Sequence, residues 1–223
     1  MKRIFITLIT FVSIALAATA QINFGLKAGT NFATIPTNVD AAKSGHTGWF
    51  VGPTFKAIIP LIGLGAEANL LYSNTGATIE NETYNKNSIE IPMYLRYELS
   101  LPAINKIFEP FIAVGPQWGW TVGKKEFGIN PNEINDLNDI KDFASEKGKY
   151  FKFNESCWSL NFGLGFILFN HLQVHANYNL ALGETSQYTD YKNINIKDLD
   201  TKELIEGVKS STNIWQISLA YIF

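Results

Sequence analysis

Three polar residues of this 223-residue sequence carry the side chains that a hydrolytic triad needs. His175 has the chemistry of a base, Ser159 that of a nucleophile and Glu98 that of the carboxylate that orients the base. Such a triad requires the three groups within hydrogen-bond reach, and nothing in their spacing joins them. We therefore assign no catalytic residue, and an envelope lipid hydrolase or acyltransferase stays open only as an alternative.

The residues that bind metals are scattered along the chain. The single cysteine, Cys157, excludes an internal disulfide and a cysteine-based zinc site. The three histidines lack the spacing of a metal site, and the aspartates of the long loops lack the spacing of a calcium loop. These residues are His46, His171 and His175, and Asp136, Asp139, Asp142, Asp198 and Asp200. We predict no metal site and no cofactor.

A larger set of charged residues shares one face of strongly two-faced segments. The set consists of Lys27, Lys56, Glu67, Glu90, Arg96, Glu98 and His175. Charges confined in a narrow space are costly unless they are paired. The sequence therefore predicts a salt-bridged polar network on this face, with Glu67 and Arg96 as the preferred pair and a proton path or ligand site as the alternative.

The segment from Cys157 to Gly183 shows which elements would position these groups. Two runs alternate large apolar residues with Gly, Ser, Asn and Gln on either side of the break at residues 169–171. A period of two indicates strands, and the short break indicates a hairpin. A polar face of small residues suits a cramped interior, and an uninterrupted apolar face suits lipid.

Similar alternation predicts six more strands, at residues 22–34, 49–59, 64–73, 89–99, 109–123 and 215–223. Residues 74–87 are predicted to be a polar loop. Pro92 lies within a strand, where it cannot donate to the ladder, so we expect a bulge or a register irregularity there. Two long loops, residues 124–154 and 184–212, have the spacing of short helices.

Eight strands with alternating long and short connections predict the fold. It is an all-β, eight-stranded antiparallel up-and-down transmembrane β-barrel with long external loops and short periplasmic turns. Its interior is just wide enough for side chains to fill, which predicts a plugged lumen rather than a pore. All five tryptophans then lie near the external rim as an aromatic girdle, namely Trp49, Trp118, Trp120, Trp158 and Trp215. Tyr97, Phe166, Tyr221 and Phe223 are candidates for the second girdle.

The N-terminus reads as a targeting segment. Lys2 and Arg3 precede an apolar run and the small residues Ala18-Thr19-Ala20, which predicts a secretory signal peptide over residues 1–20 and one barrel domain over residues 21–223. Without Lys2 and Arg3, 16 basic residues oppose 20 acidic ones, a net charge of −4. This balance argues against a nucleic-acid partner.

Several segments resemble the PorT-like family of outer-membrane β-barrels. They are residues 67–76, EANLLYSNTG; 89–97, IEIPMYLRY; 109–116, EPFIAVGP; and 219–223, LAYIF. The resemblance implies the barrel fold, and its named member is tied to protein secretion. The C-terminal pattern Leu219, Tyr221 and Phe223 resembles the signal that the outer-membrane assembly machinery reads, which implies that machinery as a transient partner.

The sequence thus predicts a small plugged barrel in the outer membrane of a Gram-negative bacterium. Its expected partners are outer-membrane lipid and a protein bound at the external loops, in a structural, adhesion or secretion-accessory role. Two alternatives are the lipid-modifying enzyme and a soluble barrel with reversed faces that binds an apolar ligand.

Overall fold

The computed structural model describes residues 21–34, 44–45, 47–60, 62–79, 82–99, 107–128, 149–190 and 208–223. The predicted signal peptide, the histidine His46, the aspartates of the long loops and both predicted loop helices lie outside these ranges. The regular structure of the described residues is β-strand throughout. Within them, no helix is long and apolar enough to cross a membrane.

Eight long strands form the barrel, and the third is interrupted at Leu70. They are β1, Gln21–Thr34; β2, Thr47–Ile59; β3, Leu64–Asn69 and Leu71–Ile79; β4, Glu82–Glu98; β5, Phe108–Val122; β6, Ser156–Leu168; β7, Leu172–Ala181; and β8, Asn213–Ile222.

The strands pair antiparallel with their neighbours in the chain, and the first pairs with the last. β1 pairs with β8 from Gly25 opposite Ile222 to Thr34 opposite Asn213, and with β2 on its other side. Closure leaves none of the eight strands with a free edge. This matters because lipid cannot form hydrogen bonds with the unpaired backbone N–H and C=O groups of such an edge. The predicted eight-stranded up-and-down barrel is confirmed.

The two faces of the wall are arranged as the alternation predicts. Leu164 is 66% exposed on the outer face, whereas Arg96 is fully buried in the lumen. Along the barrel strands most large apolar side chains are exposed on the outer face, and most Asn, Gln, Ser and charged side chains are buried inside, together with a few apolar ones such as Phe111. The alternative of a soluble barrel with reversed faces is therefore wrong.

The hairpin β3–β4 corrects one predicted connection. Residues 74–87, expected to be a polar loop, lie almost entirely in strands that stay in register from Leu71 opposite Glu90 to Ile79 opposite Glu82. Thr75, Thr78, Thr83 and Tyr84 favour extended backbone. The polarity of this segment reflects its position at the end of the barrel, and it does not mark a loop.

Strands continue into the two longest connections as well. Glu126–Gly128, Lys149–Phe153, Ser186–Asp190 and Val208–Ser210 form a separate four-stranded antiparallel sheet, here called the outer sheet. It stands at the end of the barrel where β5 joins β6 and β7 joins β8. We call this the loop end, and in outer-membrane barrels the long connections face outward.

Pro92 interrupts pairing without shifting it. The β4–β5 ladder has Pro92 opposite Gln117 and resumes with Leu95 opposite Val114, which is the same register. On the β3 side the break at Leu70 likewise leaves the register unchanged. The irregularity expected at this proline is thus a gap in the ladder and not a bulge, because flanking pairs hold the alignment.

The tight hairpin β6–β7 turns at Phe169 and Asn170, which have positive φ angles of 52° and 62°. His171 N donates to Leu168 O over 3.1 Å across this turn. Two successive positive φ angles match the right-handed twist of paired strands. The turn fixes the register that brings the polar residues of β6 and β7 onto one face.

Candidate functional site

Five charged residues form a layer of ion pairs across the lumen, here called the ion-pair layer: Lys27, Lys56, Glu67, Arg96 and Glu98. Glu67 accepts contacts from both Lys27 and Arg96, so the predicted pair is present. Lys56 Nζ lies 3.0 Å from Glu98 Oε1, and Arg96 Nε lies 2.8 Å from the same oxygen. Because every member has an opposite charge beside it, the layer meets the requirement for burying ions.

Arg96 is the centre of this layer. Its guanidinium contacts Glu67 from β3, Glu98 from its own strand and Gln173 Oε1 at 2.9 Å from β7. The guanidinium carbon also lies 3.4 Å from the centroid of the Phe111 ring, a cation–π arrangement. The Arg96 side chain therefore extends from β4 to partners on β3 and β7 across the interior.

The residues considered for a triad have separate partners. Glu98 binds Lys56 and Arg96, and Ser159 Oγ accepts a 2.7 Å hydrogen bond from Asn179. His175 packs between the rings of Tyr94 and Phe111, with centroids 5.5 and 5.2 Å away. The structure therefore gives the enzyme alternative no nucleophile–base–carboxylate arrangement among these three groups.

Gly163 makes room for the His175 ring. A Cβ atom at Gly163 would lie 2.1 Å from His175 Nε2, and the two aromatic rings restrict the histidine from moving away. We expect Gly163→Ala to lower the free energy of unfolding by about 1–3 kcal/mol through overpacking. Urea unfolding in detergent, followed by tryptophan fluorescence, measures this.

Two controls test the contact between Gly163 and His175. Gly183→Ala should be neutral, because no atom lies within 4 Å of the position that its Cβ would take. In a His175→Ala background, Gly163→Ala should cost much less than in the wild-type protein. Equal losses in both backgrounds would contradict the assigned contact.

Closer to the loop end, a chain of five amide side chains with Glu90 at one end and Ser73 at the other, here called the amide belt, lines the lumen. Hydrogen bonds of 2.8–3.0 Å connect successive members around the wall. The order is Glu90 from β4, Gln117 from β5, Asn161 from β6, Asn177 from β7, Gln216 from β8, Asn31 from β1 and Ser73 from β3. Seven of the eight strands are thus joined by side chains as well as by backbone.

The amide belt as a unit is not predictable from the sequence. Amides at alternate positions were recognised as lumen-facing, but the register that aligns Asn177 with Gln216 and Gln216 with Asn31 appears only in the fold. Amides on one face of consecutive predicted strands are the signal that could have indicated its members. Glu90, predicted as part of a salt-bridge network, ends this belt instead.

The outer sheet covers the lumen at the loop end. Phe151 and Phe153 on its inner face are buried, with ring centroids 4.7 Å apart. Phe153 lines the same cavity as Ser88, Glu90 and Gln117 of the barrel interior. The lumen is therefore closed successively by the ion-pair layer, the amide belt and the aromatic side chains of the outer sheet.

The five tryptophans lie on the outer face near the loop end. Trp49, Trp120, Trp158 and Trp215 are each about half exposed, and Trp118 Nε1 donates to Ser156 Oγ over 2.7 Å. Just beyond them Glu155 accepts from Lys125 Nζ at 2.6 Å and from the Trp120 indole at 3.5 Å. These hydrogen bonds hold the pKa of Glu155 below its ordinary value.

Aromatic side chains also gather on the outer face at the opposite end. The Phe223 ring lies 5.1 Å from Phe24, and Tyr221 stacks on His171 with centroids 5.7 Å apart. Tyr97 and Phe166 lie at the same end, Phe166 5.4 Å from Phe108. Leu219, Tyr221 and Phe223 are all more than half exposed on this face.

A closed antiparallel barrel with an apolar outer wall, a packed polar lumen and aromatic residues near both ends defines the class of outer-membrane β-barrels. The chain belongs to the family described as outer membrane protein beta-barrel domain, whose model matches residues 4–223. Its place is the outer membrane, where lipid covers the apolar wall. No curated protein matches the chain at a significant level.

Several solved outer-membrane barrels are similar to this chain. The attachment invasion locus protein Ail of Yersinia pestis has 12% identity and a TM-score of 0.40, over 90% of this chain and 98% of its own. A major outer membrane protein from Thermus thermophilus has 14% identity and a TM-score of 0.43, over 91% and 99%. The N-terminal β-barrel domain of Pseudomonas aeruginosa OprF has 9% identity and a TM-score of 0.37, over 91% and 100%.

Proposed function

We propose that this protein is a non-conducting outer-membrane scaffold that works by presenting its loop end to a partner outside the cell. The observation that carries the proposal is the closed lumen beneath a folded outer sheet. Side chains from seven strands join in the amide belt, and the ion-pair layer lies below it. A channel needs an open path through its lumen, whereas here side chains cross the lumen at two levels.

The outer sheet supplies the presenting surface in this proposal. Its inner face is occupied by Phe151 and Phe153, while Lys152 and Glu126 pair at 2.7 Å on its outer face with side chains about 40% exposed. Ordered strands keep such a surface in place at a lower entropic cost on binding than a flexible loop would. Adhesion is the role that this arrangement favours.

In-cell photo-cross-linking tests the proposal. A photoreactive residue at Lys152 should capture a discrete protein or surface glycan, whereas the same residue at Leu164 on the lipid-facing wall should capture lipid alone. The proposal fails if both positions give the same products, or if Lys152 gives none while the protein is present at the surface.

A secretion-accessory role is the second candidate, supported by the resemblance of residues 67–76, 89–97, 109–116 and 219–223 to PorT-like barrels. Under this role the partner captured at Lys152 would be a component of a secretion complex. A secretion defect on deletion of the protein, rescued by wild type but not by a variant lacking the outer sheet, would favour it over adhesion.

We also propose that residues 1–20 are a signal peptide and that Leu219, Tyr221 and Phe223 are read by the assembly machinery. Phe223→Ala should lower the amount of folded barrel in cells, measured as the fast-migrating band of unboiled samples. Refolding of the purified variant into detergent should change much less, because the contact with Phe24 is only one of many. An equal loss in both assays would assign Phe223 a purely structural role.

A further inference from the structure

A small cavity lies between the amide belt and the outer sheet. Its volume is about 50 Å³, and Glu90, Ser88 and Gln117 line it toward the barrel interior. Lys86 and Phe153 line it toward the loop end, with Lys86 Nζ 6.0 Å from the Phe153 ring centroid. A site for one water needs roughly 10–15 Å³ of such volume, so the cavity is sized for a few water molecules or a partly hydrated ion.

Glu90 differs from the other buried carboxylates of the lumen. It is 5% exposed, yet among the residues that the structure describes its two oxygens have only neutral hydrogen-bond partners, Ser88 Oγ at 3.0 Å and Gln117 Nε2 at 2.9 Å. Within the described residues, the ion pairs of Lys27, Lys56 and Arg96 are made with Glu67 and Glu98. Glu90 therefore has no lysine or arginine at salt-bridge distance among the side chains that the structure describes.

The hydrogen bonds of the amide belt direct donors toward Glu90. Asn177 donates to Asn161, Asn161 donates to Gln117, and Gln117 donates to Glu90. The three amide dipoles are thus aligned head to tail, with their donor ends toward the carboxylate, and such chains strengthen cooperatively. The last donor of this chain, Gln117 Nε2, lies 2.9 Å from Glu90 Oε2.

A buried, ionised carboxylate without a counter-ion is strongly unfavourable. We propose that the cavity binds a small monovalent cation such as Na⁺ or K⁺ against Glu90. One negative charge surrounded by hydroxyl and amide groups balances one positive charge, whereas tight Ca²⁺ sites use six to eight oxygens and several carboxylates. This inference goes beyond the proposed presenting role and is independent of any partner.

Thermal unfolding of the refolded full chain in detergent tests the proposal. The melting temperature is followed in NaCl, KCl and N-methyl-D-glucamine chloride at equal ionic strength, the last cation being too large for the cavity. We expect Na⁺ or K⁺ at ten times its dissociation constant to raise the wild-type melting temperature by about 3–6 °C relative to N-methyl-D-glucamine. Glu90→Gln, which keeps the shape of the side chain, should abolish the difference.

Lys86→Gln is the second variant. Removing this positive charge from the cavity wall should move the response to lower cation concentrations, because a repulsion is lost. Sodium-23 NMR line broadening, present with wild type and absent with folded Glu90→Gln, reports the ion directly. Equal responses of wild type and Glu90→Gln would overturn the proposal, as would a response that appears only in Lys86→Gln, since Lys86 itself would then be the counter-ion.

Discussion

Arg96→Ala is expected to lower the free energy of unfolding of the barrel by about 3–5 kcal/mol, which is the usual cost of removing one partner from a buried ion pair. The reason is that two buried carboxylates share this one guanidinium. Glu67 and Glu98 lie in the lumen with side chains only 1% and 6% exposed, and each loses its guanidinium partner. Equilibrium unfolding in urea, in detergent or lipid vesicles, measures the loss.

A matched control separates this effect from a general response to lost charge. Lys125→Ala breaks the pair with Glu155 beyond the loop end, where the two side chains are 30% and 65% exposed. Such an exposed pair is screened by solvent and contributes little to stability. If Arg96→Ala and Lys125→Ala cost the same, the ion-pair layer would not be the buried network described here.

A double variant tests the cause more closely. Glu67→Gln in the Arg96→Ala background should lower stability less than it does in the wild-type protein, because only the contact with Lys27 remains to be lost. In the wild-type background Glu67→Gln should be more destabilising, because both Lys27 and Arg96 then lose this carboxylate partner. Equal losses in both backgrounds would count against coupling between Glu67 and Arg96.

Leu164→Arg is expected to cost about 2–4 kcal/mol, because it places a charge on the lipid face near the middle of the bilayer. Leu164 is 66% exposed on the outer face and lies between Ile112 and Ala176 on the neighbouring strands. Folding into lipid vesicles at a series of urea concentrations measures the loss.

The control for this prediction is the same substitution on the same face of the wall, but nearer the membrane interface. Val122 is on the same face, 37% exposed, but at the end of β5 beyond Trp120. Val122→Arg should cost only about 0–1 kcal/mol, because charges near the interface reach water. Wild-type stability for Leu164→Arg, or equal losses at both positions, would contradict the assigned depth of the wall.

The barrel was predictable because each strand carries its facing in a period of two. Leu164 and Asn161, three residues apart, face opposite sides for this reason, and the Glu67–Arg96 pair follows once β3 and β4 are neighbours. The charged lumen residues were recognisable by their type. The alternation does not show how far each strand extends, so the polar composition of residues 74–87 predicts a loop where the structure has paired strands over 74–79 and 82–87.

The lumen contacts that the sequence does not predict depend on the register between strands. The amide belt requires Asn31, Gln216 and Asn177 to stand at one height on three strands, which pairing alone decides. Phe111 is another example, since it is 1% exposed inside the barrel and stacks against Arg96. In the sequence Phe111 is simply an apolar residue on an otherwise polar face. Nothing in the pattern indicates that its ring contacts Arg96.

Current recording in planar lipid bilayers tests the central claim, that the barrel spans the membrane with a closed lumen. Purified wild-type protein, with insertion verified by the heat-dependent shift of its gel mobility, should give no long-lived conductance steps. Arg96→Ala, if it remains inserted, should give brief openings because the ion-pair layer has lost its central side chain. Stable ohmic pores in the wild-type protein would contradict the account, since they would require an open path through the ion-pair layer and the amide belt.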